Sequence, residues 1–102
     1  MESNNQININ EEQKIMIGNL CADSHTEFVA YFVRYTKNMS QAEDMTQQLF
    51  LNLLLYKGII LPHMLKAFAF QSARRLIVDD ARAKACHRKH LENYLEEISS
   101  VE

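Results

Sequence analysis

The chain has 102 residues with two glycines, one proline, two cysteines and a formal charge of −2. That length fits one domain whose core needs no disulfide or metal to hold it. So little Gly and Pro leaves almost no punctuation for a multi-stranded sheet, while Ala, Leu, Met, Gln, Glu, Lys and Arg supply good helix formers throughout, and the expected fold is all-α: a compact bundle of three to four helices with a long C-terminal helix.

The first ten residues are Asn-rich and polar and read as a flexible N-terminus; they have the character of neither a signal peptide nor a membrane anchor. A first helix is expected from Asn10, where Asn10 and Gln13 can cap reciprocally ahead of the apolar Ile15, Met16 and Leu20, with Gly18 as a weak point. Ser24-His25-Thr26-Glu27 has the spacing of a capping box and predicts a second helix, in which Phe28, Val29, Phe32, Val33 and Tyr35 recur at helical intervals. The aromatic set Phe28, Tyr31, Phe32 and Tyr35 is read as core.

After a short turn at Lys37-Asn38-Met39, a second box, Ser40-Gln41-Ala42-Glu43, opens a third helix. Its stripe Ala42, Met45, Leu49, Leu53 and Tyr56 is expected to face inward, leaving Asp44, Gln47, Gln48 and Leu51 on another face. Lys57 and Gly58 read as a cationic, left-handed stop, and the segment from Gly58 to Pro62 as a loop apolar enough to be buried or covered by a partner. Pro62 suits the first position of a fourth helix, whose buried side is traced by Leu65, Phe68, Ala69, Ser72, Ala73, Leu76 and Asp80. The main domain then spans residues 11–90, with an acidic helical extension over 91–102.

Charge divides the chain sharply. Residues 1–56 carry a net −4 and residues 91–102 another −4, whereas residues 57–90 hold Lys57, Lys66, Arg74, Arg75, Arg82, Lys84, Arg88 and Lys89 against Asp79 and Asp80, a net +6 suited to a polyanion. Phe68 and Phe70 lie inside that basic segment, where a ring can stack on an unpaired base while cations hold phosphates.

Enzyme chemistry finds no motif: there is no Gly-rich phosphate loop, no G-x-S-x-G and no H-E-x-x-H, and no cofactor is implied. Cys86-His87-x-x-His90 offers at most three zinc ligands with no second cluster to complete a tetrahedron, so it is read as a thiol and two imidazoles on a basic helix end, not as a metal site. The widely spaced Cys21 and Cys86 fit a reduced, cytoplasmic protein, and no segment approaches a membrane-spanning helix.

The run Ala42-Glu43-Asp44-Met45-Thr46-Gln47-Gln48-Leu49-Phe50 resembles the AED-x-x-Q-x-x-F signature of region 2 in sigma-70 family proteins, particularly the extracytoplasmic-function group. About twenty residues on, the run from Phe68 to Arg82 is similar to that group's W-L-x-x-I-A-R-N-x-x-x-D-x-x-R stretch, and the two together cover about Gly18 to Arg88. The resemblance implies a transcription-initiation module. Its third helix would dock on the clamp helices of the largest subunit of core RNA polymerase through Asp44, Gln47, Gln48 and Leu51, with Phe50 shared between core and contact. The loop before the fourth helix, and that helix itself, would open the promoter −10 element and hold the non-template strand through Lys57, Lys66, Phe68, Arg74, Arg75, Arg82, Lys84, Arg88 and Lys89. An anti-sigma factor is a further implied partner. Phe68, Ala69 and Arg75 replace the usual Trp, Leu and Asn of the motif, so base preference does not carry over. The alternative expectation is a sigma-like adaptor without DNA binding, using the apolar Leu51 and Leu55 face for a partner helix.

Overall fold

The computed structural model describes residues 9–100, with side chains over 11–97; of the ten N-terminal residues expected to be flexible, 1–8 lie outside the described residues, whereas Ile9 and Asn10 are already helical. Three α-helices account for nearly all of it: α1 (Ile9–Thr36), α2 (Met39–Leu55) and α3 (Leu65–Ser100), with a single 3-10 turn at Pro62–Met64 leading into α3. The fold is all-α, as the composition implies.

The helices expected before and after Ser24 are one. Gln13, Ile17, Ser24, Phe28 and Phe32 are all buried, with Leu20, Cys21, Tyr31 and Tyr35 half-buried between them, so a single stripe at three- and four-residue intervals runs unbroken along α1. Ser24 is thus a buried mid-helix residue and not a cap. Gly18 sits on the exposed side, where an added Cβ would meet nothing within 4 Å. Asn10 likewise falls inside α1, and the side chain of Gln13 is engaged elsewhere, as described below.

At the end of α1, Lys37 adopts a left-handed conformation (φ 58°) and its N–H donates to the Val33 carbonyl at 2.7 Å, which closes the helix. Asn38 then caps α2: its backbone is extended and its side-chain oxygen accepts from the Gln41 N–H at 3.0 Å. The cap therefore lies two residues before Ser40, because Asn38 is the last residue outside the helix and already carries the needed acceptor. So short a link folds α2 back along α1 as a helical hairpin.

At the other end, α2 stops at Leu55 and Tyr56 turns extended (ψ 129°). Gly58 has no positive φ, so the expected left-handed stop does not form. What Gly58 supplies is close approach: a Cβ there would come within 2.5–2.7 Å of the Tyr56 ring. Tyr56 itself, expected in the core, is exposed. The apolar loop is sorted residue by residue, with Ile60 buried and Ile59 and Leu61 exposed.

Only the first half of α3 packs on the hairpin. Leu65, Ala69 and Ala73 are buried, and Phe68, Ser72, Leu76 and Asp80 are half-buried, which is the expected stripe. Phe70 joins them from the side: its ring lies 4.4 Å from that of Phe28 and 5.4 Å from that of Tyr31. Phe50 of α2 meets Phe28 edge-on at 5.7 Å, so Phe28 stands at the meeting point of all three helices. Beyond Asp80 the helix leaves the bundle, every described side chain from Ala81 to Glu97 is exposed, and the molecule measures 79 × 27 × 19 Å. The compact bundle thus ends near Asp80, and a projecting helical arm follows.

Candidate functional site

Two features position the surface around the loop between α2 and α3. The first is the amide of Gln13, which is buried and bonds the loop on both sides: its Nε2 donates to the Gly58 carbonyl at 2.9 Å, and its Oε1 accepts from the Ile60 N–H at 2.7 Å. One side chain of α1 so satisfies two backbone groups of a loop 45 and 47 residues away. The second is the turn at Tyr56, which swings its ring onto Phe68 of α3, 4.9 Å between centroids and inclined at 49°.

Beside that ring pair, α2 and α3 diverge into an open groove of about 580 Å³. Its walls carry Tyr56 and Phe68 together with Asn52, Gln71, Arg75 and Asp79. The groove therefore offers two π surfaces, two amides, a guanidinium and a carboxylate. That set can stack on a planar ring, donate to and accept from its edge, and hold an anion alongside. Of these residues only Phe68 and Arg75 are among the site residues expected from the sequence. Helical spacing alone puts Tyr56 in the core, and Asn52, Gln71 and Asp79 carry no signal of their own, since their meeting depends on the angle at which α3 leaves α2.

The basic residues of α3 do not share one face. Phe68, Arg75, Arg82 and Lys89 recur every seven residues, two turns apart, and form one line running from the groove out along the projecting arm. Lys66, Lys84 and Arg88 lie on the other flank, and Arg74 points away from the bundle. Two of that second group are already engaged: Lys66 pairs with Glu27 of α1 at 3.0 Å, and Lys84 pairs with Asp80 at 3.0 Å while its ammonium lies 5.3 Å from the centre of the Tyr35 ring. Lys57 stands in the loop, exposed, and lines a separate hollow with Gln13, Ile17, Leu54 and Tyr56 and not the groove itself.

Asp80 is the hinge of that second flank. The Tyr35 hydroxyl donates to its carboxylate at 2.8 Å, tying α1 to α3 where the bundle ends. The Tyr35 hydrogen bond first and the Lys84 contact next hold the Asp80 carboxyl below its ordinary pKa, while the same carboxylate raises those of Tyr35 and Lys84.

On α2, Asp44, Gln47, Gln48 and Leu51 are all exposed at positions that follow one face of the helix. The Gln48 amide donates to Asn52 at 2.8 Å one turn on. Leu54, Leu55, Ile59 and Leu61 extend this face as an exposed apolar margin toward the loop. Cys86, His87 and His90 are exposed on the projecting arm, and among the described residues no group of three or more His, Cys, Asp and Glu is placed to hold a metal ion. Nor is any helix among them long and apolar enough to cross a membrane. Comparison with family models, with curated proteins and with solved structures finds no match to this chain.

Proposed function

We propose that this chain is a sigma region 2-like module of transcription initiation, with a docking face on α2 for the clamp helices of core RNA polymerase and a groove between α2 and α3 for unpaired −10 DNA. The observation that carries this reading is the groove itself. The Tyr56–Phe68 ring pair stands beside Arg75, and the line of Arg82 and Lys89 continues along α3 from the same edge. Unstacking a base costs a few kcal/mol, which ring stacking and phosphate neutralisation together can offset. The placement of the charges favours one subset of these residues. Arg75, Arg82 and Lys89 lie in line with the rings and are the first choice for backbone contacts, whereas Lys66 and Lys84 are occupied by Glu27 and Asp80.

The α2 face supports the second half of the proposal. Asp44, Gln47 and Gln48 are exposed, polar and adjacent, with Leu51 beside them, on the side of the helix turned away from the core formed by Ala42, Thr46, Leu49 and Leu53. A mixed polar and apolar strip of this kind fits docking on another helix pair. Capture of the isolated clamp-helix segment by the full chain, compared with the Asp44→Ala, Gln47→Ala double variant, tests it. Binding is expected to fall at least tenfold, on the order of 1.4 kcal/mol, and undiminished capture would remove the docking role from this face.

The adaptor reading without DNA binding draws on one observation, the exposed Leu51, Leu54, Leu55, Ile59 and Leu61 margin. The two readings separate on single-stranded DNA, which an adaptor leaves unbound.

A further inference from the structure

One charge in the groove works against holding a strand. Asp79 is exposed on the groove wall, and among the described residues it makes no ion pair or hydrogen bond. Arg75 stands one turn before it, but a cation four residues ahead of an acid is the weaker order on a helix; Asp80 ahead of Lys84 has the stronger order and does pair, at 3.0 Å. A bare carboxylate repels phosphate, and what it can serve in this groove is the edge of a base.

The opposite wall supplies a complementary group. Helices α2 and α3 run antiparallel: Tyr56 meets Phe68 at one end of the pair, and Asp44 shares a hollow with Asp80 at the other. Side chains lean toward the N-terminus of their own helix, so Asn52 of α2 and Asp79 of α3 incline toward each other across the groove that both line. The Asn52 Oδ1 already accepts from Gln48 at 2.8 Å, which leaves its Nδ2 hydrogens to donate. Read across, the groove offers a donor and then the two acceptor oxygens of a carboxylate.

We propose that the groove selects guanine, with the Asn52 amide donating to O6 and the Asp79 carboxylate accepting from N1–H and the N2 amino group. This rests on the groove being a single-strand site and names the base that site prefers. Guanine alone among the DNA bases has a Watson–Crick edge that runs acceptor, donor, donor, and that edge is open only when the base is unpaired. Adenine and cytosine set a ring-nitrogen lone pair against the carboxylate, and thymine holds a single N–H between two carbonyls. Arg75 stays on the backbone, and the Tyr56–Phe68 pair supplies the stacking.

Fluorescence anisotropy of the full chain with a short thymine strand carrying one central guanine, adenine, cytosine or inosine is the test. The guanine strand is expected to bind about tenfold tighter than the adenine and cytosine strands, with inosine, which keeps O6 and N1–H but lacks the N2 amino group, falling between. Asp79→Asn should remove the preference for guanine over adenine and, by taking a negative charge out of the groove, tighten binding to the all-thymine strand. Asn52→Asp, which puts an acceptor where the donor was, should weaken guanine binding more than adenine binding. A parent chain that binds every strand alike, a guanine preference untouched by Asp79→Asn, or inosine bound as tightly as guanine would each overturn the guanine assignment while leaving the single-strand groove in place. No binding to any strand would overturn both.

Discussion

The amide of Gln13 faces two backbone groups of the 58–60 loop, and truncating it leaves a buried N–H and a half-buried carbonyl without partners. Gln13→Ala is therefore expected to lower stability by about 3 kcal/mol, read from the urea midpoint, since each orphaned group costs about 1–3 kcal/mol. An unchanged midpoint would mean that the loop is held by Ile60 alone. Asp80 gives a pH-dependent counterpart. Its carboxyl is held low, so its contribution is present above the ordinary carboxylate pKa and is lost as pH falls through the lower folded value. Tyr35 and Lys84 are raised, so theirs are present below their ordinary values near 10 and are lost as pH rises through the folded ones. Asp80→Asn should flatten the acid limb of the stability curve, and a limb of unchanged steepness would count against the network. Neither Gln13 nor Asp80 declares its role in the sequence. Gln13 pairs with a loop far along the chain, and Asp80 looks like one more acid on a charged helix until Tyr35 is brought against it.

Among the helices, α1 shows how a local motif can mislead. Ser24-x-x-Glu27 satisfies the capping pattern, but the stripe from Gln13 through Ile17, Ser24 and Phe28 to Phe32 never changes phase, and burying that stripe against α2 outweighs a cap that would break it. The phase was present in the sequence, and the polar Ser24 and Gln13 concealed it. Because Gly18 is exposed with open space at its Cβ position, Gly18→Ala should stabilise the protein by about 0.5–1 kcal/mol, checked by thermal or urea unfolding. A loss of stability would show that the helix bends there. The core stripes of α2 and α3 were legible because Ala42, Leu49, Leu53, Leu65, Ala69 and Ala73 are apolar at helical spacing. The groove was not, because it depends on where Tyr56 leaves α2, a matter of one residue at a helix end.

At the scale of the whole molecule, a short three-helix bundle carries a projecting arm, and the polar face of α2 runs up to the ring-lined groove where Gln48 bonds Asn52. Charge follows the same plan, with the acidic first half of the chain building most of the bundle and the basic segment supplying the groove wall and the start of the arm. On the proposed reading, a cationic line of three side chains should make binding to single strands salt-dependent, with each phosphate contact contributing roughly −0.7 to the slope of log affinity against log salt. The most direct measurement is fluorescence anisotropy of the full chain with a single-stranded −10 oligonucleotide over a range of salt, comparing the parent with Phe68→Ala, Arg75→Ala and, as a control off the line, Arg74→Ala. The groove reading predicts that Phe68→Ala weakens binding about tenfold or more at constant salt slope, as expected for lost stacking of about 1–3 kcal/mol. Arg75→Ala should lower both affinity and slope, and Arg74→Ala should do little. Equal losses at Arg74 and Arg75 with none at Phe68, or no binding by the parent chain at low salt, would contradict it.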